Sequence, residues 1–267
     1  MLYAQNIFIP DENKLNAFIR SITSFSEYIK KNPYNVDVYI GGYVAKDEHW
    51  NKINATIKDY PYNITRFDKN YGKAYVTNAI VKKALETKKY EHLLLSDYDI
   101  VFMKEEKHFF ERLLEAARYT SHHRKLQLGM IGINQSEKQC HAISSLNQNV
   151  FKYTNQYGEE ETILWNNYPG YIGGGCIFTS IEIWNIVGGY RVMGVYAGED
   201  AYYLIDMKNN HRSWQLMESL HILHPHDTDT EYYNFKCGIC AKITNGTNRV
   251  NNLDTYINQM SDFWSKR

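Results

Sequence analysis

The sequence predicts a single α/β domain with a mostly parallel sheet covered by helices. Two observations carry this. Over residues 1–134, short apolar runs alternate with segments of helical period in β-α-β-α-β-α-β order, an order that joins parallel strands through right-handed crossovers. At 267 residues and 43% hydrophobic content, the chain is also long enough to bury one sizeable core.

Taken in order, Ile7-Phe8-Ile9-Pro10 reads as a short first strand, and Leu15, Phe18, Ile19, Ile22 and Ile29 recur at helical spacing. Val36, Val38 and Ile40 alternate as a second strand, which Gly41-Gly42 is expected to end in a turn. A helix follows over 73–87 with Val76, Ile80 and Ala84 on its inner face, then a strand through Leu93-Leu94-Leu95 that ends at Asp97. Another helix is expected near 104–119, with Phe109, Leu113 and Ala116 inward, and a strand over 128–133. Residues 141–169 are polar, Asn- and Tyr-rich and without period, so a long irregular loop is expected there.

Order returns with Gly173-Gly174-Gly175-Cys176-Ile177-Phe178, a strand entered through backbone that must approach something closely. Thr179-Ser180-Ile181-Glu182 has the pattern of a capping box for a short helix that ends at Gly188-Gly189. A further helix is expected over 199–210, and Leu253, Tyr256, Ile257, Met260 and Trp264 space out as an amphipathic C-terminal helix. With no repeat and no linker, one domain is expected over 1–267. It divides into a first half (1–134), the loop (135–170), a second half (171–230) and a C-terminal extension (231–267).

Bulk properties narrow the function. Lys+Arg and Asp+Glu both total 30, which argues against a surface built to coat nucleic acid. The 23 tyrosines suit stacking on sugars or bases, as well as ordinary packing. Cys140, Cys176, Cys237 and Cys240 are too few for a disulfide framework in a chain this long. No apolar run reaches membrane-helix length and no secretory leader opens the chain. A cytoplasmic, reduced protein is expected, in which the sequons at Asn54, Asn63 and Asn245 have no role.

Asp97-Tyr98-Asp99 is the most informative motif. Paired carboxylates at the carboxyl end of a buried strand suit Mn²⁺ or Mg²⁺ together with substrate phosphates, where open α/β sheets bind ligands. The competing reading is a pair of strand-end turn residues. Asp227-Thr228-Asp229 has the same spacing but no strand before it, and reads as a loop. His221, His224 and His226 alternate with apolar residues on an expected strand. His224 is the first choice as a metal ligand, and His221 and His226 are its alternatives. Cys237-Gly238-Ile239-Cys240 with His224 and His226 could form a zinc site instead, although the spacing is not a common finger pattern.

The order of these motifs resembles glycosyltransferases of the GT-A fold, including family-2-like and galactosyltransferase-like enzymes. Asp97-Tyr98-Asp99, the triple glycine, Val187-Gly188-Gly189-Tyr190, Gly198-Glu199-Asp200 and the histidine-bearing strand follow one another over about residues 5–226. The segment from Tyr71 through Gly72-Lys73 to Asn78 resembles the family's helix start near the donor nucleotide.

The resemblance implies a mixed, mostly parallel sheet flanked by helices and a metal-dependent hexosyl- or pentosyltransferase. A nucleotide-diphosphate sugar, UDP-linked by first choice, would be the donor. Asp97 and Asp99 with His224 would hold Mn²⁺ or Mg²⁺, and Asp97 would also approach the ribose. Lys73, Asp68, Asn78 and Pro10 would line the donor, a solvated helix-start lysine being the alternative for Lys73 and a turn acid that for Asp68. Asp200 would be the general base and Glu199 its neighbour at the acceptor. Gly173, Gly174, Gly175 and Trp165 would face donor or acceptor. A single base implies inversion, with retention left open. The acceptor would be a glycan or glycolipid hydroxyl, with a hydroxymethylated DNA base as an alternative. The rivals are a sugar nucleotidyltransferase, which would want a glycine-rich phosphate loop where Ile9-Pro10-Asp11-Glu12 stands, and a catalytically silent nucleotide- or sugar-binding module.

Overall fold

The first strand, β1 (Leu2–Ile9), is buried along its whole length except at Asn6, as a central parallel strand covered on both faces must be. It begins five residues earlier than the apolar run, because Gln5 and Asn6 interrupt the hydrophobic pattern without interrupting the strand. The structure, a computed structural model, describes residues 1–123, 127–137, 148–166, 172–192 and 198–225.

Helix α1 (Glu12–Lys31) starts where the Asp11 side chain accepts from Lys14 N at 2.9 Å, and buries Leu15, Phe18, Ile22 and Phe25. Strand β2 (Asp37–Val44) runs straight through Gly41-Gly42, so the expected turn is not there. Those glycines mark close approach instead: a Cβ on Gly41 would strike Ile80 in the helix above. Helix α2 (Asp47–Ile57) and strand β3 (Asn63–Phe67) follow. Neither was expected: α2 turns only His49, Ile53 and Ile57 inward, and β3 has no fully buried residue. Helix α3 (Lys73–Thr87) has the expected bounds.

Strands β4 (His92–Ser96) and β5 (Val101–Phe102) bracket the Asp97-Tyr98-Asp99 turn. Helix α4 (Phe109–His123) begins later than expected, at the point where Tyr28 Oη accepts from Phe109 N at 2.9 Å. After β6 (Leu128–Glu137), the expected irregular loop contains a hairpin, β7 (Gln148–Thr154) and β8 (Glu160–Asn166). Strand β9 (Cys176–Ser180) leads into α5 (Ile181–Val187). The cap of α5 is Ser180, accepting from Ile183 N, whereas Thr179 donates to Gly129 O, so the capping box is not formed. Helix α5 ends as expected on left-handed Gly188 (φ 84°). Helix α6 (Glu199–Asn209) and strand β10 (Ser213–His224) complete the described chain.

These strands form one mixed sheet in the order β3-β2-β1-β4-β9-β6-β10-β8-β7, with β5 paired to β10. Strands β1–β4 are parallel, and β9 is antiparallel to both β4 and β6. That reversal leaves β6 and its parallel neighbour β10 pointing the same way as β4. The carboxyl ends of β1, β4, β6 and β10 therefore share one edge of the sheet. One apolar layer centres on Tyr3, Phe25, Phe102 and Phe109, the other on Leu93, Ile80, Trp184 and Tyr203. No helix among the described residues is long and apolar enough to cross a membrane. Cys140, His226, Asp227, Asp229, Cys237, Cys240, Asn245 and the expected C-terminal helix lie outside the described residues.

Candidate active site

At the shared edge, β4 gives way to Asp97, whose backbone is pinned on both sides. Its N–H donates to Gly175 O at 2.8 Å, and its carbonyl accepts from Gln5 Nε2 at 3.1 Å and Ser96 Oγ at 3.0 Å. With its amide turned to donate, Asn6 reaches Asp97 Oδ1 at 3.1 Å.

Lys73, the first residue of α3, crosses to this point almost wholly buried. Its Nζ donates to Gly174 O at 2.9 Å and pairs with Asp97 Oδ1 at 2.8 Å and Asp200 Oδ1 at 3.5 Å. Burial alone would push its pKa down, yet Asp200 and Asp97 carry it well above the usual 10.5. Burial raises the Asp97 pKa above its ordinary value, Lys73 pulls it back, and Asp99 and Asp200 add to the rise. The cluster is thus a fixed ammonium between two carboxylates.

The triple glycine gives this cluster its shape. Gly174 N donates to Asp200 Oδ2 at 2.9 Å, and a Cβ on Gly174 would stand 2.5 Å from Asp200 Cγ. No other residue type allows that approach. Asp200 sits in the first turn of α6 beside Glu199, after Gly198 in the left-handed region (φ 65°). A Cβ on Gly175 would press on Gln135 Nε2 at 2.9 Å, which is the link to a second group of residues.

In that second group, Gln135 of β6 is fully buried and His224, at the end of β10, is 2% exposed. His224 Nδ1 lies 2.9 Å from Gln135 Oε1, and its Nε2 faces Asp99 Oδ1 at 3.6 Å. An imidazole that donates from Nδ1 to an amide oxygen holds its Nε2 lone pair ready for a metal. A 3.6 Å gap between two donor atoms is one that a cation with ligand bonds of about 2.0–2.2 Å can bridge. The residues therefore fit a divalent cation as two ligands of an open set. Among the described residues no three His, Cys, Asp or Glu converge as a metal centre. Asp97 pairs through Oδ1 with Lys73, and Asp99 is near enough to help raise its pKa. His221 lies three residues back on β10, its backbone N–H donating to Glu106 Oε1 at 3.1 Å.

The remaining expected site residues are placed as follows. Pro10 is buried just beyond β1, at the same sheet edge. Asp68 is exposed after β3 and accepts from Tyr71 Oη at 3.1 Å. Asn78 serves the fold: its Nδ2 donates to Tyr190 O at 2.8 Å, and its Oδ1 accepts from Tyr190 N at 3.0 Å. Both ends of the carboxamide are thereby engaged with the backbone that follows Gly188-Gly189. Gly173 lies in the same entry to β9 as Gly174.

Trp165 is not in the cluster. It stacks on Phe151 in the hairpin and pairs with Gln215. The β6 partners of Gln215 and His224, Ile131 and Glu137, are about 20 Å apart at 3.3 Å per residue. Its hairpin packing takes it to the opposite edge of the sheet. Sequence reasoning missed Gln5, Asn6 and Gln135. Their signal was polarity inside strands otherwise buried.

No protein-family model and no curated protein matches the chain. Solved structures do. Residues 1–349 of TarS from S. aureus align over 91% of this chain and 70% of that one, at 12% identity and TM-score 0.54. A mannosyltransferase from Pyrobaculum calidifontis, solved with GDP-Man and Mn²⁺, aligns over 88% of this chain and 60% of that one, at 10% identity and TM-score 0.54. GalNAc-T7, solved with UDP, GalNAc and Mn²⁺, aligns over 85% of this chain and 44% of that one, at 10% identity and TM-score 0.56. The chain thus spans less than two thirds of the last two. Sheet order, strand directions and these likenesses agree: the chain has the GT-A fold found in glycosyltransferases.

Proposed function

We propose that this protein is a metal-dependent glycosyltransferase that moves a sugar from a nucleotide-diphosphate donor to an acceptor hydroxyl with inversion. The observation that supports this best is one convergence. Lys73, Asp97, Asp99, Asp200 and His224 come from four separate segments and meet at the carboxyl edge of the sheet. Both Mn²⁺-bearing structural neighbours were solved with a nucleotide or a nucleotide sugar, which favours that donor class. UDP is the nucleotide we take first. A glycan or glycolipid acceptor suits the zero net charge better than DNA does.

In this reading Asp200 accepts the proton of the acceptor hydroxyl as its oxygen attacks the anomeric carbon. The bond from that carbon to the β-phosphate oxygen breaks, and the nucleoside diphosphate leaves with the electron pair. Lys73, kept charged by its two acids, offers a fixed positive charge toward the departing diphosphate. Asp99 and His224 would hold the cation, and Asp97 would orient Lys73. Mn²⁺ bound there would supply charge neutralisation of the leaving group. An imidazole in the set favours Mn²⁺ over the harder Mg²⁺. Glu199 would steady the acceptor. The cytoplasmic setting read from the cysteines belongs to this proposal as well.

The nucleotidyltransferase rival is weaker, because the start of α1 is already occupied by the Asp11 carboxylate and followed by Glu12, where a phosphate would be repelled. The test is a panel of UDP-, GDP- and CMP-sugars, each with Mn²⁺ or with EDTA. One nucleotide class should raise the melting temperature only with Mn²⁺ and release free nucleotide slowly without acceptor. Asp200→Asn should keep the thermal shift and lose turnover by about 10²–10⁴-fold. NMR of the transferred sugar should give the inverted anomer. Turnover that survives both EDTA and Asp200→Asn would overthrow the proposal.

A further inference from the structure

Strand β10 does not run evenly beside β6. Up to Met217, which pairs with Ile133, the register is constant from Trp214. The next pair is His221 with Asn134, and the new register holds to His224 with Glu137. Glu218, Ser219 and Leu220 are therefore extra, a three-residue bulge against two adjacent residues of β6. The bulge also marks a change of neighbour: before it β10 pairs with β8, after it with β5.

Three is an odd number, and an odd shift exchanges the faces of a strand. Continued without the bulge, the early register would set His221 opposite Glu137, on the face that reaches Gln135. The bulge sets His224 there, so it decides which of two histidines faces Asp99.

Ser219 and the backbone of His221 are held by one buried or part-buried network, and Glu218 by a separate exposed bond. Arg112 of α4 is 6% exposed and Glu161 of β8 fully buried. They pair through two bonds, Nε to Oε1 at 2.5 Å and a second guanidinium nitrogen to Oε2 at 3.0 Å. Arg112 also donates to Ser219 O at 2.9 Å and to Glu106 Oε2 at 2.8 Å. Glu106 Oε1 accepts from His221 N at 3.1 Å. Ser219 Oγ donates to Glu161, and Asn134 Nδ2 donates to Glu218 O at 2.9 Å. A planar guanidinium fork fits this set of acceptors as no ammonium could.

We infer that Arg112 is a positioning residue: with Glu106 and Glu161 it holds the three-residue bulge that presents His224, and not His221, to the cation held with Asp99. The inference rests on the metal reading above for its consequence, but its geometry concerns this chain's own residues.

The experiment is a double-mutant cycle on Mn²⁺ affinity, measured on the full chain from the EPR signal of free Mn²⁺. Arg112→Met should weaken Mn²⁺ by about 10–100-fold, the usual range for residues that orient a ligand. His224→Ala should weaken it as well, and His221→Ala should not. In the His224→Ala background, Arg112→Met should cost nothing further, because both act through one imidazole. Folded Arg112→Met with wild-type affinity, or losses that multiply, would overturn the inference. Where Arg112→Met does not fold, Asn134→Ala enters the same cycle, with a loss of several-fold expected and unchanged affinity again overturning it. If His224→Ala leaves Mn²⁺ affinity intact, the metal reading fails. The inference is then decided by ¹⁵N NMR, which should show His224 as the Nδ1–H tautomer in the wild type and a tautomer mixture in Arg112→Met or Asn134→Ala. An unchanged tautomer refutes it.

Discussion

Adding one methyl group at Gly174 should disable the site while leaving the molecule folded. A Cβ there would stand 2.5 Å from Asp200 Cγ and nearer still to Asp200 Oδ1, against 3.4 Å for ordinary contact, so the carboxylate must retreat by at least about 0.9 Å. The retreat also breaks the 2.9 Å bond from Gly174 N to Asp200 Oδ2, the bond that aims the carboxylate. Misplacing a reacting group by about 1 Å can cost about 10²-fold in rate, and crowding a packed site costs about 1–3 kcal/mol. Gly174→Ala should therefore lose about two orders of magnitude in Mn²⁺-dependent nucleotide release and several degrees in melting temperature. Mn²⁺ affinity should hold, since the side chains bonded to Gly174 are Lys73 and Asp200. The neighbouring Gly175→Ala is the internal contrast. Its Cβ presses on Gln135, so it should weaken Mn²⁺ through His224. Gly174→Ala turning over at more than half the wild-type rate would refute the claim that this glycine exists to seat the base.

Three further outcomes follow from the same contacts. Asn78→Ala strips both partners from the Tyr190 backbone and should cost about 1–3 kcal/mol in chemical denaturation with donor affinity unchanged; the reverse pattern would restore Asn78 to the donor site. Burial would raise the Glu161 pKa, but hydrogen bonds from Arg112, Ser219 and Asn155 hold it below 4.5. Folded Glu161 then binds its proton less tightly than unfolded. Its contribution is complete above pH 4.5 and fades as pH falls through the lower folded value, so stability should fall less steeply with acid in Glu161→Gln than in the wild type. Removing the ammonium with Lys73→Met leaves Asp97, already raised by burial, to take up a proton. That variant should gain stability as pH falls from neutral toward the ordinary carboxylate range, and a flat profile would contradict the ion-pair geometry.

What the sequence revealed depends on where each element's constraint comes from. Helices α1, α3, α5 and α6 declare themselves because their inner faces repeat locally and their ends carry Asp11, Ser180 or Gly188. The hairpin was hidden because it is a sheet edge: only one side of it is buried, and it is laced outside by pairs such as Lys152 with Glu160 at 2.7 Å. Its turn was nonetheless written in Asn155, whose Oδ1 accepts from Tyr157 N and Glu159 N, and in Gly158 at φ 83°. Strand β2 misled for the opposite reason. Glycine usually breaks a strand, but here Ile80 of α3 needs the space above Gly41, a fact of tertiary packing. The acids of the site were legible because their chemistry is intrinsic. Gln135 was not, since its importance lies wholly in what it touches.

The two aspartates of the motif illustrate the limit of spacing as an argument. In an extended strand, residues two apart point the same way, and Asp97 and Asp99 would share a cation. The strand ends at Ser96, and the chain turns through Tyr98 and Asp99. Asp97 is consequently delivered to Lys73 and Asp200 on the α3 and α6 side, while Asp99 is delivered to His224 at the end of β10. The motif is therefore a bridge, with Asp97 in the charge network of Lys73 and Asp200 and Asp99 beside the imidazole. That division is why a single lysine and a single bulge, one on each side of the turn, can set the geometry of the site.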